Sequence, residues 1–483
     1  MNKPIHSKEL AASTPEQWQE YVADFRRAGH ETVDWVANYF NSVAEMPVLA
    51  RTKPGELFDA LPVSAPGQGE TYDAMLRDFD KLVMPAVTQW NHPRFFAYFA
   101  CTGSAPAVLG EMLAAALNTN GLHWKTSPAV AELEQRTLDW LRQWLGLPGG
   151  DGKDAWFGIV YDTASTSSMH AIVCAREMVA PEARRQGSRG DLTVYTSEQS
   201  HSSIEKGAIA VGIGQDNVRK VPVDVNFAMR ADALAKMIED DKASGKRPAC
   251  IVATIGTTSS TSIDPLATIV EIAEKHNVWV HVDAAYAGAA AILPEHRHIL
   301  AGVERAHSLV FNAHKWLLTP IDLSAFYTRR PDILRRAFAL TPDYLKTQDD
   351  PRAHNLMDYG VPLGHRFRAL KLWFVMRYFG RERMEAILRS HIEWAQKFAA
   401  LVDAQPGFER VAPAPFSVVC FRFKGSDQQN QAIQDKVNQS GRVFISGTVL
   451  NGKFVLRLAI GNLATQWKDV EEAWKLILKA AEL

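Results

Sequence analysis

Cysteine is scarce in this sequence and forms no pattern. Cys101, Cys174, Cys250 and Cys420 are far apart, with no CxxC pair. A disulfide framework or a zinc site is therefore not expected, and a reducing compartment fits. Net charge is almost absent, at -1 with a pI near 7. No basic field is present to hold a polyanion, so nucleic acid is not expected as a partner. No block of like charges marks an interaction tail. Long apolar runs are missing as well. The most apolar windows, such as Ala284 to Leu293, fall well short of the ~20 residues of a membrane helix. The opening MNKPIHSKEL has no apolar core of the signal-peptide kind, so no membrane partner and a cytoplasmic location are expected. No internal repeat, low-complexity tract or GxxxxGK[ST] loop is found.

The 483 residues, 47% hydrophobic and 22% charged, suit a globular protein of two or three compact units. From Pro15 to Phe40 an apolar stripe of Val22, Phe25, Val33, Val36 and Phe40 predicts a helix. Pro/Gly-rich connections follow, at Lys53-Pro54-Gly55 and Pro62 to Gly69. Residues 1–104 look too extended to fold alone and are expected to pack on a partner subunit. Residues 105–370 alternate between strand-like and helix-like runs. The predicted strands are Trp156 to Tyr161, Leu192 to Thr196, Cys250 to Ile255, Val278 to Val282, Ser308 to Asn312 and Ser324 to Thr328. This alternation predicts an α/β domain with a mostly parallel central sheet, whose sites lie at strand ends. Residues 371–483 read as a smaller α+β domain: a helix from Lys371 to Val402, strands Ser417 to Phe423 and Lys453 to Leu458, and a last helix from Trp467 to Ala481.

Unusual residues cluster just past those strands. Lys315 follows the run Ser308 to Phe311 and precedes Trp316. A buried lysine loses its proton more readily and can then form a Schiff base with an aldehyde. A lysine that snorkels to water has the same pattern. Asp283 ends an apolar strand and is followed by Ala284 and Ala285. A carboxylate there can bond a protonated pyridine nitrogen, and the small residues leave room for a flat ring. It can equally be a polar strand end that caps a helix. A metal reading of His281 with Asp283 lacks a third ligand. In Asp162-Thr163-Ala164-Ser165-Thr166-Ser167-Ser168, hydroxyls at a helix start suit a phosphate dianion, or else cap the helix plainly. His201, in Ser200-His201-Ser202-Ser203, can lie over a cofactor ring or be an ordinary core histidine. The order of these parts, with 32 residues from Asp283 to Lys315, is that of a site for pyridoxal 5'-phosphate (PLP).

These residues carry a resemblance. His281-Val282-Asp283-Ala284-Ala285-Tyr286-Ala287-Gly288 and His314-Lys315-Trp316-Leu317-Leu318 resemble the aromatic L-amino-acid decarboxylases, PLP-dependent group II enzymes. So do Phe95-Phe96-Ala97-Tyr98-Phe99, Ser127-Pro128-Ala129, Pro362-Leu363-Gly364 with Arg366-Phe367-Arg368, Phe25-Arg26-Arg27 and Lys453-Phe454-Val455-Leu456-Arg457. The resemblance spans residues 20–480. It implies the aspartate-aminotransferase-like (type I) PLP fold and a homodimer with N-terminal helices draped over the partner. It implies Lys315 as the Schiff-base lysine, Asp283 at the pyridine nitrogen and His201 stacked on the ring. Thr163, Ala164, Ser165, Asn312 and His314 fall at phosphate positions, Thr258 near the ring hydroxyl and Ala285 beside the ring. Tyr344 matches the tyrosine of a catalytic loop that reprotonates Cα. Trp90, Phe99, Cys101 and Leu122 match the substrate pocket, Leu122 entering the neighbouring site. The implied substrate is an aromatic L-amino acid, since no cation serves a distal carboxylate.

The sequence departs from the family pattern at five positions. Cys101 replaces a threonine, Leu122 replaces an aromatic residue, His123 beside it is unexpected, and Asp162 and Thr166 stand where Gly and Glu are common. Two rival readings are an aldehyde synthase acting on the same substrates and a catalytically silent PLP-binding protein. Retention of His201 and Tyr344 favours simple decarboxylation over aldehyde synthesis. The pair Lys315 and Asp283 speaks against silence.

Overall fold

Apolar strands buried on both faces organise the computed structural model, which describes residues 14–99, 101–149, 155–340 and 353–482. Seven strands form the central sheet: β1 (Phe157–Tyr161), β2 (Leu192–Ser197), β3 (Val218–Val221), β4 (Arg247–Thr254), β5 (Trp279–Asp283), β6 (Ser308–Asn312) and β7 (Ser324–Thr328). Their spatial order is β1-β7-β6-β5-β4-β2-β3. Only β7 is antiparallel to its neighbours β1 and β6; the other pairings are parallel. The sheet is thus the mostly parallel α/β sheet that the alternating sequence indicates. The six predicted strands are all present, with ends moved by up to three residues. β3 was not anticipated.

Along the chain lie helices α1 (Pro15–Ser42), α2 (Ala105–Leu117), α3 (Pro128–Leu145), α4 (Ala164–Val179), α5 (Ser203–Ala210), α6 (Ala313–Trp316), α7 (Ala369–Ala404) and α8 (Trp467–Ala481). The chain forms two compact units. One holds the chain up to Phe95 with Asp435–Phe444 and the part from Ala464 onward; the other holds Phe96–Gln434 and Ile445–Leu463.

In the first unit, α1 opens with a capping box. The Thr14 hydroxyl takes the Gln17 amide at 3.3 Å, and the Gln17 side chain takes the Thr14 amide at 2.8 Å. Pro15, preset for helical φ, stands in the first turn. The apolar stripe of this helix is largely open: Phe25 is 58% exposed and Trp18 also 58%.

In the second unit, α7 covers the predicted helix but breaks at Gly380, where φ is 65° and ψ 173°. A second sheet holds, in order, β10 (Phe444–Leu450), β11 (Lys453–Ala459), β9 (Val418–Phe423) and β8 (Phe408–Arg410), and all of these residues but Phe444 belong to this unit. Its pairings β8–β9, β9–β11 and β10–β11 are antiparallel. The sequence anticipated only β9 and β11. Among the described residues, no helix is long and apolar enough to cross a membrane.

What this topology does for chemistry is simple. β1, β2, β4, β5 and β6 all point the same way, so the loops after them meet at one sheet edge.

Candidate active site

Those five strand ends enclose a cavity of about 170 Å³. Larger hollows exist, including one of about 560 Å³ lined by Asn118, Asn120, Pro362 and Arg366. The smaller cavity brings together a lysine, a carboxylate and an imidazole.

β1 contributes Thr163, Ala164 and Ser165. Thr163 holds the N-cap position of α4 in extended conformation, yet its hydroxyl makes no capping bond. The Asp162 carboxylate accepts from the Thr163 amide at 2.5 Å and not from the next turn. The plain-capping alternative therefore fails, and the start of a sixteen-residue helix is left to bind an anion. Across the cavity, β6 contributes Asn312, whose Oδ1 is buried without a hydrogen-bond partner. His314 follows. Its Nδ1 lies 2.8 Å from the Leu323 carbonyl and 3.0 Å from the Leu323 amide, and burial pushes the ring down to about pKa 4.

Lys315 sits on α6, a single turn forced by the end of β6. Trp316 pins that turn in the core: it is 2% exposed, donates to His391 Nδ1 at 3.0 Å and stacks on Tyr286 at 5.1 Å. Lys315 Nζ points into the cavity, 5.1 Å from the centre of the Phe99 ring, and does not snorkel outward. Burial pushes its amine below the ordinary lysine value, against the pull of Asp283 and then of Cys101. Cys101 is half-buried, and burial raises its thiol while Lys315 opposes the rise.

β5 ends in Asp283, whose Oδ1 accepts from the Ala285 amide at 3.1 Å. His281, two residues earlier, is no metal ligand. Both its ring nitrogens are engaged by hydroxyls, Ser168 at 3.1 Å and Ser308 at 2.9 Å. Among the described residues no group of three metal-ligating side chains occurs.

The sequence reading missed four walls of the cavity: Ser203, Thr254, Gly256 and Tyr286. Tyr286 lay within a quoted motif without a role. It stacks on Phe99 at 4.0 Å, and its hydroxyl bonds Ser417 at 2.6 Å. Gly256 lies beside Thr258 in sequence and in the wall. Ser203 sits in a serine-rich run with nothing to single it out. Of the expected substrate residues, Phe99 lines the cavity. Leu122 lies on a separate loop, its carbonyl accepting from the Met357 amide at 3.0 Å. Trp90 belongs to the first unit, packed on Phe95 at 4.4 Å. Tyr344 lies outside the described residues.

The donor set fits PLP on its own terms. Hydroxyls and a helix start suit the phosphate, the orphaned Asn312 oxygen faces the same space, Ala285 leaves room for a ring, and Lys315 offers an amine to the aldehyde.

Comparison with known proteins agrees. The family model "Pyridoxal-dependent decarboxylase conserved domain" matches residues 54–424. The chain is 40% identical to phenylacetaldehyde synthase of Arabidopsis thaliana, covering 98% of both chains. It is 41% identical to tryptophan decarboxylase 2 of Oryza sativa subsp. japonica, over 94% of this chain and 93% of that one. A crystal structure of Oryza sativa TDC with PLP and tryptamine superposes with a TM-score of 0.92 at 35% identity, covering 100% of this chain and 99% of the other. With a lysine, a carboxylate and a helix start at one sheet edge, the chain belongs to the pyridoxal-dependent decarboxylase family and is a PLP enzyme.

Proposed function

We propose that this enzyme decarboxylates an aromatic L-amino acid, such as DOPA, tryptophan, 5-hydroxytryptophan, phenylalanine or tyrosine, to its amine and CO2. One observation carries the reading: the Lys315 amine lies in the same small cavity as Asp283 and His201, under an aromatic wall of Phe99 and Tyr286. When bound, PLP supplies an aldehyde for the amino acid's amine and a ring that accepts the electron pair left at Cα. Lys315 would hold that aldehyde, and Asp283 would keep a proton on the ring nitrogen. Thr163, Ala164, Ser165, Asn312 and His314 would bind the phosphate, and Thr258, Ala285 and His201 would hold the ring. Phe99 and Tyr286 exclude water and favour an aromatic side chain, with Cys101 and a partner's Leu122 extending the wall. Tyr344, on family resemblance alone, returns the proton to Cα. The working form is a homodimer, supported by the open apolar faces of α1 and, separately, of α2, where Leu109, Met112, Leu113 and Leu117 are exposed.

A second reading is aldehyde synthesis, because the relative named phenylacetaldehyde synthase is as similar as the decarboxylase. Retention of His201 and Tyr344 favours the first. A panel of aromatic amino acids, with every product identified by mass, tests both. Amine and CO2 are expected; aldehyde, ammonia and peroxide support the second reading; no turnover of any substrate sinks both.

A further inference from the structure

One residue dictates how the His201 ring is presented. Ser203, the first residue of α5, brings both its backbone amide, at 3.2 Å, and its hydroxyl, at 2.8 Å, to the same ring nitrogen, Nδ1. An amide N–H can only donate, so Nδ1 must accept, and a neutral ring then carries its proton on Nε2. Ser203 is 5% exposed and lines the cavity. We propose that Ser203 is a positioning residue that fixes His201 as the neutral Nε2–H tautomer, so that the ring offers the cavity a hydrogen-bond donor and neither a base nor a cation.

The surroundings agree. A proton on Nδ1 would set N–H against N–H. His201 is exposed in the single chain, and the desolvation that remains lowers the basicity of its ring, as do Lys315 and Lys206; Asp283 alone pulls the other way. The consequence rests on the decarboxylase reading above. A carboxylate leaving as CO2 loses its charge. A cation bonded to it would stabilise the substrate more than the transition state, whereas a neutral donor orients the group without that penalty.

The test is histidine-selective 15N NMR of the PLP-loaded and PLP-free protein, with His201→Gln to assign the signal. The wild type should show a neutral, Nε2-protonated ring at neutral pH, with its titration below that of an ordinary histidine. Ser203→Asp places a carboxylate at Nδ1. It should move the proton to Nδ1, hold the ring as a cation to higher pH and lower kcat roughly tenfold to a hundredfold, without recovery in alkali, because the neutral ring then keeps its proton on Nδ1 and offers no donor. Ser203→Thr should restore the wild-type tautomer. An Nδ1-protonated or cationic ring in the wild type near neutrality overturns the proposal, as does a Ser203→Asp protein with the wild-type tautomer and rate. The NMR signal does not need turnover. The expected tautomer in a protein that releases no CO2 would therefore fault the decarboxylase reading and leave this assignment standing.

Discussion

Two lysines in the second unit are kept from bulk water, and they are kept differently. Lys371, at the start of α7, is 2% exposed and meets Glu111 of α2 at 3.0 Å. The helices touch so closely there that a Cβ on Gly110 would lie 2.9 Å from the Lys371 Cα. Lys315 is half-buried in its cavity and makes no ion pair with a described carboxylate, although Asp283 acts on it at longer range. Burial lowers both amines. For Lys371, the hydrogen bond and charge of Glu111 pull back, and its cation is matched. The contrast teaches that burial alone does not mark a reactive amine. What marks it is a cavity on one side and no salt-bridge partner on the other.

Exchanging the roles of the two would break the comparison. Lys315→Ala should abolish the visible absorbance of bound PLP and lower turnover by about a thousandfold or more. Lys371→Met should keep that absorbance and lose only stability, about 1–3 kcal/mol in urea melts. A Lys371→Met protein that folds but cannot hold PLP, beside a Lys315→Ala protein that can, would reverse the assignment.

Two glycines sharpen the same point about cavity against scaffold. Gly256 lines the cavity at φ +85°, and a Cβ there would come within 2.5 Å of the Ala287 Cβ. Gly380, in the kink of α7, has φ +65° but open space around it. Gly256→Ala should combine backbone strain with overpacking, costing about 2–3 kcal/mol and weakening PLP binding. Gly380→Ala should cost about 1–3 kcal/mol in melts and leave PLP affinity alone. Equal PLP affinity in the two variants would mean that the Gly256 turn does not shape the site.

Asp283 and Lys315 were legible in the sequence because each follows an apolar run of strand length, and a polar residue at such an end stands out. Position alone could not separate Lys315 from Lys371, since both sit among Leu and Trp; the family resemblance and then the cavity did so. β3 was illegible for a physical reason. Its sequence, Val-Arg-Lys-Val, is short and half polar because it pairs on one side only, with β2. β10 was hidden by Gly447 in the middle of its run. Ser203 could not be read from sequence, because its role depends on the angle at which a helix start meets one ring nitrogen.

A third buried charge tests how the cavity wall is balanced. Asp264 is 1% exposed, and its oxygens accept from the Met229 amide at 2.8 Å and the Thr254 amide at 2.7 Å. Thr254 pairs in register with Asp283 across β4 and β5. Burial lifts the Asp264 carboxyl to about pKa 7, with Asp224 and Asp283 adding to the rise and the two amides opposing it. An unfolded aspartate ionises near 4. Between those values the folded protein binds a proton that the unfolded chain has released. Stability therefore falls as pH rises through that window and levels off above about 7. Asp264→Asn removes the ionisation from both states. The wild-type stability minus that of Asp264→Asn, followed by urea melts from about pH 5 to 8, should decline by about 1 kcal/mol per pH unit at its steepest and then flatten. A difference that does not vary with pH would mean that two amide donors suffice to hold the carboxylate ionised throughout. Lys315 would then face two negative charges in this wall, its amine would be harder to deprotonate, and the contrast with Lys371 would narrow.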